Sequence, residues 1–349
     1  MPVLSAVCRT GRVGGEGTAM RAAVFGAGAI GGWLAAGLAR GGHEVGVLAR
    51  GASLAALRDH GLVLSEGDRH ERFRVRATDD PAALAGADLL VLGLKAHDLP
   101  GALPAINALL GPGTRVLPAI NGLPWWFLDG FGGPAEGLVL PSVDPGGALR
   151  AALPARRVIG AVVHAASRVE APGHVRLMKA DRLLLGSPAG AEGAATLADA
   201  FRRGGIPAEE VADIRAAAWS KLWGNACMNP LSALARADTA QLLGDDGVRG
   251  LVRAMMDEMT RLAASIGLPD PGDPDERIAV TRRLGPIHTS MLQDLEAGRP
   301  LELGPLLGSL VELAAHLRVE VPSLNGVHGL VRLLARSAEG AARKIDTPL

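Results

Sequence analysis

The stretch "RAAVFGAGAIGG", residues 21–32, constrains this chain more than any other. A short apolar run ends at glycines in the spacing G-x-G-x-x-G, and helical periodicity follows at once in "IGGWLAAGLARGG", residues 30–42. In a strand–turn–helix of this kind each glycine has a physical task. Gly26 makes the tight turn out of the strand, Gly28 lets a pyrophosphate approach the backbone, and Gly31 lets helix and strand pack closely. The turn residues Gly26, Ala27, Gly28, Ala29, Ile30 and Gly31 would present amides at a helix N-terminus, where the dipole favours an anion. In a chain with 47 glycines, a tight turn with no ligand is the plain alternative. Its place after a strand and before a helix favours the dinucleotide reading.

The pattern continues downstream. "HEVGVLAR" (43–50), "ADLLVLGLK" (87–95) and "TRVLPAIN" (114–121) read as strands, with helical "SLAALRDHG" and "LPGALPAINALLG" between them. Residues 63–78 alternate and read as an antiparallel insertion. Continuous apolar strands separated by helices imply a parallel sheet covered on both faces. Residues 157–177 read as paired strands around an Ala-Pro-Gly turn, with "RLLLGS" after them. Beyond about residue 190 helical periodicity dominates, over 191–203, 209–236, 247–266, 274–297, 303–317 and 325–338. The fold class is therefore α/β, with an N-terminal Rossmann-type doubly wound sheet over 20–210 and an all-helical C-terminal domain over 211–349. Residues 1–19 read as a disordered N-terminal extension without the h-region of a signal peptide, and "SAEGAARKIDTPL" as a frayed tail.

Composition removes several classes of function. The 36 basic and 36 acidic residues balance, and the basic ones form no block, so no nucleic-acid or anionic-membrane surface is expected. Aromatics are 3% of the chain with no tyrosine, which leaves no base-stacking platform. No apolar run reaches the roughly 18 residues of a membrane span. Two cysteines, far apart, suggest a reduced, cytoplasmic setting rather than a disulfide framework. Nine histidines never show H-x-x-x-H spacing, so no metal is expected; G-x-S-x-G and Gly-Lys are also absent.

The end of the second strand bears on the cofactor. An NAD site places an acid there for the ribose 2′-hydroxyl, but this chain has "VLARG", with Arg50 24 residues after Gly26. A cation in that place suits a 2′-phosphate and hence NADP(H); an exposed surface arginine is the alternative. Lys95, ending the next core strand, could add a second charge or simply reach solvent.

Chemistry points to "AAAWSKLWGNACMNPLSALA", residues 216–235. Lys221, Asn225 and Asn229 recur every four residues on one helical face, while Trp219, Leu222, Trp223 and Ala226 form the opposite, apolar stripe. A lysine ammonium can polarise a carbonyl and protonate the alkoxide that forms, and partial burial would lower its pKa. A snorkelling lysine with capping asparagines explains the pattern equally well. Pro230 is expected to break or kink the helix at Asn229. A second polar cluster, "HTSMLQDLEAGRPLELG", offers Ser290 to hold a substrate carboxylate, and Asp294 or Glu302 to pair with Lys221; these carboxylates also suit a surface or a helix's first turn.

The order "GAGAIG", "LAR", "LKAHD", "NGLP", "WSKLWGNACMNPLSAL" and "SMLQDLEAGRPLE" resembles the ketopantoate reductase family (2-dehydropantoate 2-reductases) over residues 20 to 338. The resemblance implies NADPH-dependent reduction of a 2-keto acid, in pantothenate biosynthesis, in a cleft between a Rossmann domain and a helical domain. It implies Lys221 as proton donor and Glu302 completing the catalytic pair. It also implies substrate binding by Asn225, Asn229 and Ser290, with Asn121 touching nicotinamide or substrate. Arg50 and Lys95 would contact the adenosine phosphate side, and the backbone of Ala166 the cofactor. A homodimer is compatible with this reading. The chain departs from the family at Trp125 and Trp126, placed at the expected mouth of the site with ordinary core packing as the alternative, at Gly304 and Leu307, where an Asp and an Asn are common, and at Thr239, where an asparagine is usual. Those changes leave open a related NADP-dependent enzyme with a bulkier keto or hydroxy substrate, or a non-catalytic NADP-sensing protein.

Overall fold

A computed structural model describes residues 19–345, with side chains described as far as residue 338. Residues 1–18 of the expected extension lie outside this range. The described residues open with β1 (Arg21–Phe25), helix α1 (Ala29–Arg40), β2 (Glu44–Leu48) and helix α2 (Gly51–His60). A hairpin of β3 (Leu62–Glu66) and β4 (Arg69–Phe73) precedes β5 (Arg76–Thr78), β6 (Leu89–Leu92), helix α3 (Leu99–Leu109) and β7 (Arg115–Pro118). After the short helix α4 (Ala148–Ala152) come the long strands β8 (Gly160–Ala171) and β9 (His174–Gly186), helix α5 (Ala194–Arg203) and β10 (Ala208–Glu210).

The first sheet has the order β5-β2-β1-β6-β7, and every pairing is parallel. Its central strands are apolar without alternation because helices and a further sheet cover their faces: β6 is buried along its whole length. The second sheet runs β10-β9-β3-β4, with β8 paired antiparallel to β9. It divides the expected insertion. β3 and β4 form the antiparallel hairpin, whereas β5 joins the first sheet parallel to β2. Helix α1 contacts β1 and β2 on one side and β3, β8 and β9 on the other. Consequently Gly31 through Leu38 are all buried, which is why this helix has so little polar face.

The remaining elements are α6 (Ile214–Ala235), α7 (Thr239–Gly244), α8 (Asp246–Ser265), α9 (Pro274–Arg283), α10 (Ser290–Glu296), α11 (Ser309–Leu317) and α12 (Pro322–Ile345), with a π-helical turn at Gly304–Gly308 leading directly into α11. Three expectations are corrected. The single helix over 274–297 is two, interrupted around Gly285 (φ +78°) and Pro286. Helix α6 is not broken at Asn229 but runs through Pro230 to Ala235 and ends at Arg236, whose φ is +51°. Helix α12 continues to Ile345, well into the tail read as frayed.

Contacts divide the chain into two compact units, one up to Ile120 with Leu149–Ile214, the other Asn121–Ala148 with Arg215 onward. A single cut near residue 210 does not capture this, because residues 121–148 pack with the helices. Phe127 stacks at 6.1 Å from Trp219 of α6. Arg215 donates to the carbonyls of Phe127 (2.8 Å) and Asp129, and lies over the Phe131 ring at 5.3 Å. Trp125 and Trp126 are 6% and 2% exposed, so both pack into the core of this unit. Among the described residues no helix is long and apolar enough to cross a membrane, and no group of three His, Cys, Asp or Glu could hold a metal.

Candidate active site

The turn after β1 is built by leaving side chains out. Gly26 has φ +97°, and a Cβ there would fall 2.9 Å from the Gly93 carbonyl oxygen. A Cβ on Gly31 would overlap the Gly26 carbonyl, and one on Gly93 would lie 2.6 Å from that same oxygen. The ends of β1 and β6 and the start of α1 therefore interlock through three glycines. Gly93 was not singled out in the sequence, although a glycine closing a buried strand beside Lys95 was a readable signal. Gly28 differs. It has φ −71°, and a Cβ there would meet nothing nearer than the Gly93 oxygen at 3.8 Å. The protein itself does not require its missing side chain.

Helix α1 starts with no side-chain cap and no acid in its first turn, with Ala27, Ala29 and Ile30 partly exposed, so its first amides suit an anion. The residues present thus fit a dinucleotide pyrophosphate. Arg50 is exposed just beyond β2, and Lys95 is half-buried just beyond β6. Ala166 is exposed on β8, in the second sheet, where the register with β9 shifts on both sides of Ala165–Ala166.

In the other unit, α6 carries Lys221, Asn225 and Asn229 on one face and buries Trp219, Leu222, Trp223 and Ala226. The indole of Trp223 donates to the Met256 carbonyl (2.9 Å), which fixes the helix against α8. Lys221 Nζ donates to Asn121 Oδ1 at 2.7 Å, across 100 residues of sequence. Glu302 is buried just ahead of the π-helical turn. Burial of the ammonium lowers the Lys221 pKa to about 8, against the opposing pull of the Glu302 carboxylate. The residue as a whole is half-buried, and it is the desolvation of its amine that lowers the pKa.

Asn225 is half-buried and Asn229 nearly fully buried on the same face. Ser290 is exposed at the first position of α10, after Thr289, which caps that helix by accepting from the Leu292 amide. The candidate carboxylates separate: Asp294 forms an ion pair with Arg299 (2.8 Å), while Glu302 acts on Lys221. Thr239 commits its hydroxyl to structure, donating to the Gly285 carbonyl and accepting from the Ile287 amide, both at 3.0 Å. Leu307 is fully buried. A protonated amine of lowered pKa, oriented by an amide and balanced by a carboxylate, can polarise a carbonyl and give up a proton near neutral pH.

Comparison with known proteins bears on the family. The sequence profile described as Ketopantoate reductase PanE/ApbA matches residues 22–125, and its C-terminal counterpart matches residues 213–335. A 2-dehydropantoate 2-reductase from Mesorhizobium japonicum is 43% identical over 319 residues, spanning 90% of this chain and 98% of that protein. The crystal structure of a provisionally assigned ketopantoate reductase from Ralstonia solanacearum MolK2 superposes with a TM-score of 0.87 at 42% identity, covering 92% of this chain and 99% of that one. D-mandelate dehydrogenase, solved with NADH and anilino(oxo)acetate, shares the fold with a TM-score of 0.78 at 21% identity, covering 92% and 100%.

Proposed function

The chain belongs to the ketopantoate reductase family, and from that premise we propose that it reduces a 2-keto acid to the 2-hydroxy acid with NADPH, 2-dehydropantoate to pantoate being the pair it serves. The observation that carries this reading is the Lys221–Asn121 hydrogen bond of 2.7 Å beside buried Glu302. When bound, the nicotinamide supplies a hydride to the keto carbon. Lys221 then protonates the carbonyl oxygen, while Asn121 keeps its ammonium aimed and Glu302 keeps it charged. Asn225, Asn229 and Ser290 hold the acid, and the glycine turn with Arg50, Lys95 and Ala166 holds the cofactor. A sensor that only bound NADP would have no need of a lysine tuned to about 8.

The test follows NADPH oxidation with 2-dehydropantoate and a panel of 2-keto acids. Lys221→Ala is expected to lower kcat by about 10²- to 10⁴-fold while NADPH still binds. Undiminished turnover in that variant overturns the mechanism, and tight NADPH binding by the native chain with no turnover on any acid favours the sensor. Because the protonated amine is the working form, the rate of reduction is expected to fall as pH rises through about 8.

A further inference from the structure

The lysine site has a support that none of its own residues supplies. Glu302 enters the π-helical turn Gly304–Gly308, an arrangement uncommon in helices and frequent at functional sites. One carbonyl, that of Pro305, joins this turn to the segment carrying Asn121. The Leu123 amide donates to the Pro305 carbonyl at 2.8 Å, and Gly122 (φ +86°) lies so close to that carbonyl that any Cβ would overlap it. The same carbonyl accepts from Ser309 Oγ at 3.0 Å. Pro305 therefore stands between the residue that aims the ammonium and the residue that balances its charge.

The outer side of the turn is pressed by Ser142. Its carbonyl fills the space where a side chain at Gly304 would begin, and its Cβ lies 2.9 Å from the place a Gly308 Cβ would take. Ser142 is itself held by one carboxylate. Its amide donates to both oxygens of Glu312, 3.1 Å each, and its hydroxyl donates to Oε2 at 2.8 Å. Two donors making three contacts with one half-buried carboxylate form a strong, directional anchor. Glu312 lies on α11, directly after the π-helical turn, so the anchor closes a loop around that turn.

We propose that Ser142 and Glu312 are a positioning pair for the reductase site, holding the Gly304–Gly308 turn so that Glu302 and Asn121 keep their places around the Lys221 ammonium. The inference rests on Lys221 being the proton donor. It assigns no contact with substrate to either residue; both act through the turn.

The test compares Glu312→Ala, Glu312→Gln and Ser142→Ala in the full chain, reading kcat, its pH profile, NADPH affinity and thermal stability. Glu312→Ala is expected to lower kcat about tenfold and to displace the alkaline limb of the profile, with NADPH affinity unchanged. Glu312→Gln still accepts from Ser142 and recovers part of both effects. Ser142→Ala keeps the amide donor and gives a smaller change, so the test stands even if Glu312→Ala fails to fold. Folded variants with unchanged kcat and an unmoved limb overturn the proposal, as does lost stability with an unmoved limb. Lys221→Ala separates the two levels. If it lowers kcat at least about 100-fold while the Glu312 variants are silent, only the positioning role fails; if its turnover is undiminished, the underlying reading fails.

Discussion

Residues 26–31 and the Lys221 site make opposite demands on a chain. The first works by omission: glycines at 26, 31 and 93 let three backbones meet, and Gly28 leaves amides open. The second works by assembly, drawing Asn121, Lys221 and Glu302 from three distant parts of the sequence onto one ammonium. A turn made of backbone tolerates almost nothing added at its packed positions and should lose ligand, not fold, at its open one. A site made of side chains should keep its fold and lose chemistry when one is removed.

The largest expected effect sharpens the first half of that contrast. Gly31→Ala places a Cβ on the Gly26 carbonyl, and with backbone on both sides nothing can rotate away. A loss of about 3 kcal/mol or more is expected, measured by denaturant unfolding. Gly28→Ala has an ordinary backbone conformation and no neighbour nearer than 3.8 Å. It is expected to unfold with the native midpoint while NADPH binding weakens by at least about tenfold, read by fluorescence titration. Equal stability losses in the two variants would mean that Gly28 serves packing, not a ligand.

A second effect concerns the cost of the lysine. The amine titrates at 10.5 when unperturbed and at about 8 in the fold, so between those values the unfolded chain binds more protons. Stability from this group therefore rises with pH across that window, and below it the charged, desolvated amine is a constant burden. Lys221→Met abolishes the slope. The difference in unfolding free energy between the two proteins is expected to change by at most about 3 kcal/mol from pH 7 to 11. Parallel pH dependences would show that the amine is solvated in the fold, which contradicts its role as a tuned donor.

The same contrast explains what the sequence revealed. The glycine turn was legible because its parts are contiguous and its spacing reflects local geometry. The Lys221–Asn225–Asn229 face was legible as a helical period, but spacing alone does not distinguish a snorkelling lysine from a donor. What the period does not show is Asn121 at 2.7 Å, a contact across 100 residues that supports the proposed donor. Thr239 and Asp294 were opaque for a like reason, since their partners, Gly285, Ile287 and Arg299, lie in a loop and a helix end without a periodic signature. The assignment of residues 121–148 to the helical unit was hidden too. It depends on Phe127 and Arg215 meeting across a long stretch of chain that folds elsewhere.

The smallest effect tests where the two halves differ least, at a side chain within the backbone-built region. Arg50 occupies the N-cap position of α2, yet its side chain makes no capping hydrogen bond, so removing it leaves that helix's start intact. Its guanidinium is exposed, and the attraction it offers a 2′-phosphate is screened by water and salt. Arg50→Ala is therefore expected to reduce the preference for NADPH over NADH by only about tenfold, roughly 1.4 kcal/mol, with no change in kcat for the bound cofactor. The loss should come from weaker NADPH binding, leave NADH untouched, and shrink as ionic strength rises. A preference unchanged at low salt removes Arg50 from the cofactor site. A loss shared equally by both cofactors places its role at the pyrophosphate and shows that the cation after β2 does not discriminate between them.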